Sequence, residues 1–372
     1  MRILKRSSAA TPLLCIVLAA CTVAGQGLTF SGSMISDLML LHNYRAEAGD
    51  EADFSGTGRL SLTFRNTNRR YGKVEGDLEV VTLYGVAAEA AAPESPAGFG
   101  ALAANGAARL FSLGNAPVLL DLRRLYLEFY LPFADIAVGR QIVNFGKGFV
   151  FSPIDVFTAV DVFDLDLRRR GSDVATVRVP FGALSGLDAT VELPVAGNRF
   201  SAAAKVFATL GAYDVSLVGI YRHPGEDQMA GREGVIGATF KGDAVVGLYG
   251  ELVTRLVEGQ RDIYPEAMIG VDYSIRNRWI LRAEYLYSDY RWNERAWGEH
   301  NAFVSVQYIA NDLLSLSANL LYDFEHDIAL GTALARYNAL QNVNLEAYVR
   351  GFSGITQLPY DFAYGVRAEV SF

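Results

Sequence analysis

The sequence predicts an all-β fold: a transmembrane, antiparallel, up-and-down β-barrel of about eighteen strands, within roughly 16–18. Three observations predict it. Apolar residues recur at every second position, not at helical spacing. Past residue 25 no run of about 18 apolar residues occurs, although 51% of the chain is hydrophobic and 12% aromatic. Short polar turns alternate with long connections along nearly the whole chain.

Residues 1–25 read as a secretory signal peptide, leaving 26–372 for the barrel. Arg2, Lys5 and Arg6 form a basic start, Pro12 to Ala20 a short apolar core, and Thr22–Val23–Ala24 or Val23–Ala24–Gly25 a cleavage site. Leu18–Ala19–Ala20–Cys21 resembles a lipobox, so Cys21 is either a lipidated N-terminus or discarded with the signal. The processed chain then keeps at most one Cys, which excludes an internal disulfide framework. A formal net charge of −8 disfavours nucleic acid as a partner.

The alternation is clearest at 73–80. Lys73, Glu75, Asp77 and Glu79 take one face, and Val74, Gly76, Leu78 and Val80 the other. Four charges on one face are costly in a dry core and cheap against water, so the other face is expected to meet lipid. Turns are expected at Asn66–Gly72, Gly211–Ala212, Lys241–Gly242–Asp243, Arg276–Asn277–Arg278 and Ala310–Asn311–Asp312. Long connections are expected at 43–54, 85–117, 144–171, 222–232, 288–299 and 351–360, with 85–117 either a flexible loop or one carrying a short helix. Short turns on one rim and long loops on the other place both termini on the periplasmic side. Tyr84, Tyr221, Tyr287, Tyr308 and Tyr322 are candidates for interface girdles.

In the last strand Phe362, Tyr364, Val366, Ala368, Val370 and Phe372 share a face, with Gly365, Arg367, Glu369 and Ser371 opposite. A terminal Phe after such a pattern resembles the insertion signal of bacterial outer-membrane barrels. The resemblance implies barrel-insertion machinery and outer-membrane lipid as partners.

The most distinctive stretch runs from Gly139–Arg140–Gln141 through Phe145–Gly146–Lys147–Gly148 and Pro153–Ile154–Asp155 to Arg168–Arg169–Arg170–Gly171. It resembles a group of porin-like outer-membrane proteins over about 40 residues. That resemblance implies fold and location better than substrate. Five Phe residues (145, 149, 151, 157 and 163), four Asp and three Arg suit a loop folded into or over the pore mouth, where charges set solute preference. A loop packed on the outer rim is the other reading. Pore-lining or constriction candidates are Arg124, Glu128, Arg140, Lys147, Asp155, Asp161, Asp164, Arg168, Arg169, Arg170 and Arg178. Arg140 stands out, because strict alternation sets it on the lipid face. A bulge or early strand end is therefore expected there, turning it inward or to the rim. Further lumen charges by alternation are Arg59, Arg65, Arg282, Glu284, Glu346, Arg350, Arg367 and Glu369.

The function expected is passive diffusion of small hydrophilic solutes through a porin-like channel. A loop-plugged, non-conducting surface-binding or envelope-assembly barrel is the alternative. No catalytic set, cofactor motif or metal-ligand spacing occurs, and His42, His223, His300 and His326 read as polar rim residues, His326–Asp327 included. Self-association of barrels is left open. Mass spectrometry of the mature N-terminus should find a start downstream of Cys21; an acylated Cys21 would establish the lipoprotein reading instead.

Overall fold

The structure, a computed structural model, describes residues 27–42, 52–66, 72–90, 107–158, 160–162, 164–193, 200–223, 231–243, 245–260, 262–289, 298–354 and 360–372. The signal segment with Cys21, and Phe163, lie outside the described residues.

The strands are β1 (Leu28–His42), β2 (Ala52–Asn66), β3 (Gly72–Gly85), β4 (Ala107–Leu113), β5 (Ala116–Tyr130), β6 (Asp135–Gln141), β7 (Ser172–Pro180), β8 (Ser185–Glu192), β9 (Phe200–Leu210) and β10 (Tyr213–His223). They continue as β11 (Glu233–Asp243), β12 (Gly247–Val257), β13 (Ile263–Ile275), β14 (Trp279–Ser288), β15 (His300–Ile309), β16 (Leu314–Asp323), β17 (Ile328–Leu340), β18 (Val343–Ser353) and β19 (Phe362–Ser371). Eighteen of them form a closed antiparallel wall, in which β3 pairs directly with β5 and β19 returns to β1. Closure leaves the wall without a free edge, and each backbone group in it has a neighbour to pair with. The seam is finished by Phe372. Its N–H donates to Gly32 O at 2.9 Å and its C=O accepts from Gly32 N at 2.8 Å. The Phe372 ring fills the space that a Cβ on residue 32 would need.

Register and burial agree on which face is which. Phe30, Met34, Leu38 and Leu40 of β1 are exposed on the outer face, while Ile35, Asp37 and Leu41 are buried inside. On β19, Phe362, Tyr364, Val366 and Val370 are exposed and Arg367 is buried. Polar residues thus look inward and large apolar ones outward, the reverse of a water-soluble sandwich. Aromatic pairs decorate the rims: Trp279–Tyr308 at the short-turn end, and Phe200–Tyr221 and Tyr322–Phe324 at the other.

The turn expected at Arg276–Asn277–Arg278 has φ of +52° at Arg276 and +55° at Asn277. This is the left-handed pair whose twist suits a tight hairpin. The turn expected at Lys241–Gly242–Asp243 lies further on, because Gly242 and Asp243 still pair with Leu248 and Gly247. The 85–117 connection opens with a helical turn, Val86–Ala90, and closes with β4, a short strand that hairpins onto β5. Its pairing covers the upper part of β5, which β6 leaves bare because the chain departs the wall after Gln141.

One bulge bears on the lumen. Asp77 pairs with Arg124 and Leu78 with Leu122, leaving Arg123 extra. Two consecutive arginines can therefore both reach lumen carboxylates.

Replacing Val366 by Arg sets a charge on the outer face near the middle of β19. Unfolding in lipid should become easier by about 2–4 kcal/mol, measured by denaturant titration. Arg at inward-facing Gln307 should have little effect.

Candidate functional site: the loop across the lumen

Between β6 and β7 the chain does not stay above the rim. The described residues of 142–171 fold into the barrel and touch opposite sides of its inner wall. The first half carries a run of seven consecutive backbone N–H groups, residues 145–151, and carboxylates accept from every one. Phe145 and Gly146 donate to Asp155 Oδ1 at 2.7 and 2.9 Å. Lys147 and Gly148 donate to Glu251 Oε1 of β12 at 2.7 and 3.0 Å. Phe149 donates to Glu284 Oε1 of β14 at 2.5 Å, and Val150 and Phe151 to its Oε2 at 2.9 and 3.0 Å. Ser152 Oγ lies 3.1 Å from both Glu251 oxygens, and the Tyr249 hydroxyl donates to Glu284 at 2.8 Å.

Local sequence explains why this segment can wrap so closely. A Cβ on Gly146 would collide with Ser152 Oγ and Glu251, and one on Gly148 with Phe151 O. The two glycines of Phe145–Gly146–Lys147–Gly148 are therefore there for close approach. Irregular backbone would otherwise leave these amides unpaired, so each charge-assisted bond stabilises by about 1.5–3 kcal/mol. Arg255 fixes the next turn by donating to Pro153 O while it pairs with Glu233 and Glu266 of the wall.

Apolar packing completes the dock. Val143, Phe145 and Ile154 pack on Val218, Ile220, Val235 and Val253, the inner faces of β10 to β12. Val150, with Phe151, Val162 and Leu167, packs on Phe303, Leu321, Leu330 and Phe352 of β15 to β18. The upper inner wall is thus apolar where the loop covers it, which removes that surface from water.

The second half is an ionic elbow against β2, β3, β17 and β19. Asp164 takes Arg168 at 2.6 Å and stands 3.9 Å from Arg59. Asp166 takes Arg367 at 3.0 Å and stands 3.9 Å from Arg336. Arg168 reaches Glu79 at 2.7 Å. Burial raises the Asp164 carboxyl above its ordinary range, opposed by the Asp166 N–H and by Arg59.

The remaining sequence candidates have these places. Asp155 and Arg169 pair at 2.6 Å inside the loop, and Arg169 also donates to Gly148 O at 3.3 Å. Asp161 and Arg170 face each other at 3.9 Å. Lys147 sits in the amide run. On the wall, Arg124 pairs with Glu75 at 3.1 Å and Asp77 at 3.5 Å. Glu128 accepts from the Tyr130 hydroxyl at 3.4 Å, and Arg178 pairs with Asp188 at 2.7 and 3.0 Å. Arg140 stands apart from the loop's elbow. Its strand does end one residue later, and Asp173 directly across neutralises it at 2.9 and 2.5 Å, with Leu122 O at 3.1 Å as a third partner.

The alternation marked Glu284 and Glu346 as lumen charges in water, whereas both are buried here. It did not single out Glu251 or Arg123. The period of two running through Tyr249, Glu251, Val253 and Arg255 was the available signal for Glu251. At the loop rim, His326 pairs with Asp323 at 2.9 Å, while Asp327 accepts from Tyr322 at 2.8 Å. His326 and Asp327 are thus engaged elsewhere. Among the described residues no group of three or more His, Cys, Asp or Glu is arranged to hold a metal ion.

No family model and no curated protein matches the sequence. Solved structures match in fold. OmpF of Salmonella typhi, solved with daunomycin, superposes with a TM-score of 0.51 at 12% identity, over 94% of this chain and 99% of that one. OccAB4 of Acinetobacter baumannii superposes with a TM-score of 0.56 at 8% identity, over the same shares of the two chains. The chain therefore has the closed 18-stranded antiparallel barrel fold of porins. Within it, the site is a single loop anchored across the lumen.

Removing either anchor should free the loop without opening the wall. In hydrogen exchange, amides 145–151 should be protected in the native protein. Glu284→Ala should deprotect 149–151 most, leaving the amides of β14 and β15 slow. Unchanged protection of 149–151 would contradict the anchoring role of Glu284.

Proposed function

We propose that this protein is an outer-membrane channel for passive diffusion of small hydrophilic solutes, narrowed by residues 142–171. The observation that carries the reading is the loop itself. It crosses a barrel wide enough for an aqueous path and is held in the lumen by wall carboxylates. Selection by such a device is partition and electrostatics, with no bond made or broken. Arg124, Glu128, Lys147, Asp161, Asp166, Arg170, Arg178 and Arg336 keep part of their surface open to water, and these set the preference of the narrowed passage. Asp155, Arg169, Asp164 and Arg168 hold the loop in shape, and Arg140 closes a pair in the wall.

The outward apolar face and the porin fold support an outer-membrane address. Insertion would proceed through the C-terminal strand, recognised by barrel-insertion machinery. The rim of short turns, which holds both Leu28 and Phe372, would face the periplasm.

The apolar packing between loop and upper wall favours a second reading, a barrel whose lumen is closed by its own loop. Planar-bilayer recording separates the two. The channel reading expects discrete conductance steps from the native protein and larger steps after deletion of residues 149–166. Silence from a folded native protein, with conductance only in the deletion, would establish the closed barrel.

A further inference from the structure

Acidic side chains outnumber basic ones in the whole chain, 41 to 33. That balance alone suggests a cation-preferring interior. The inner wall is arranged otherwise. In three of its ion pairs the carboxylate is covered and the guanidinium is far more exposed, whereas Arg255 and Arg367 are themselves buried. Arg178 is 57% exposed over an Asp188 that is 6% exposed. Arg124 is 35% exposed over Asp77 at 8%. Arg336 is 42% exposed over Glu346 at 1%. Arg168 and Arg123 likewise both cover Glu79.

A length argument explains the pattern. Both partners leave the same face of the wall, and Arg is much the longer side chain. Its head therefore ends nearer the barrel axis, and its stem and guanidinium shield the carboxylate beneath. The loop supplies the counterweight. Asp161 is open but matched by an equally open Arg170. Asp166 is more open than its partner Arg367.

We propose that the lumen selects small anions over cations, with the exposed guanidinium groups of Arg124, Arg178 and Arg336 as its contact points. This inference rests on the channel reading above. An anion entering the lumen can touch a guanidinium, whose planar donors suit carboxylate, phosphate or chloride. A cation is kept from Asp77, Asp188 and Glu346, because arginines lie over them. Contact decides, because charges further than about 8–10 Å are screened at physiological salt.

The test is reversal potential in planar bilayers under a potassium chloride gradient, using the native barrel and an R124Q/R178Q variant. The native channel should show a reversal potential of the sign set by chloride. The variant uncovers Glu75, Asp77 and Asp188, so its chloride-to-potassium permeability ratio should fall several-fold. Retained β-sheet circular dichroism checks that the variant folds, and the native measurement stands even where it does not. A native channel that conducts but prefers potassium overturns this inference and leaves the channel reading intact. A folded variant with unchanged preference overturns the assignment to these arginines. A native protein that never conducts removes the channel reading, and this inference with it.

Discussion

The interior of this barrel depends on one electrostatic constraint: a stretch of irregular backbone inside a protein must find acceptors for its amides. Seven successive N–H groups of the lumen loop point the same chemical way, and three carboxylates accept all of them. The constraint is mutual. Glu251 and Glu284 lie almost fully buried on the inner wall, where an unpaired charge costs several kcal/mol. Without the loop they would need water; without them the loop would need a different fold. Each half makes the other tolerable, and the Phe and Val side chains of the loop then have a fixed place from which to cover the apolar upper wall.

Much of the wall was legible in the sequence because side-chain period and wall face are locked together. A residue such as Val366 has no third option once Arg367 faces in. The bulge at Arg123 was not legible, since alternation assumes one residue for one residue and a bulge breaks that count. The loop's destination was half legible. Its aromatic and charged content argued that it is not idle in solvent. Its partner Glu251 lies about a hundred residues away and looks, in sequence, like any other lumen charge. Only the curvature of the wall from β7 to β12 brings it under the loop, and no local pattern encodes that curvature.

Arg140 shows how a sequence conflict can be resolved without moving the backbone out of register. Alternation assigned it the costly face, and a bulge or an early strand end was the expected remedy; the strand ends at Gln141. The structure keeps the pairing of Arg140 with Leu125 on one side and supplies a carboxylate, Asp173, as its direct register partner on the other. A bidentate pair plus a backbone carbonyl leaves little of the guanidinium charge uncompensated. The same pairing ends the strand, since the chain leaves the wall after Gln141 and rejoins it at Ser172.

The order in which these parts can form follows from where the anchors lie. The amide run needs β12 and β14, whereas the elbow needs Arg59 of β2, Glu79 of β3 and Arg367 of β19. These two sets come from opposite parts of the ring and are adjacent to one cavity only when β19 has met β1. A loop held at both ends therefore presupposes a closed wall, and β19, which closes it against β1, is also the strand that carries Arg367. Loop docking is in this sense the structural consequence of closure: the narrowed lumen exists only once the barrel wall is complete.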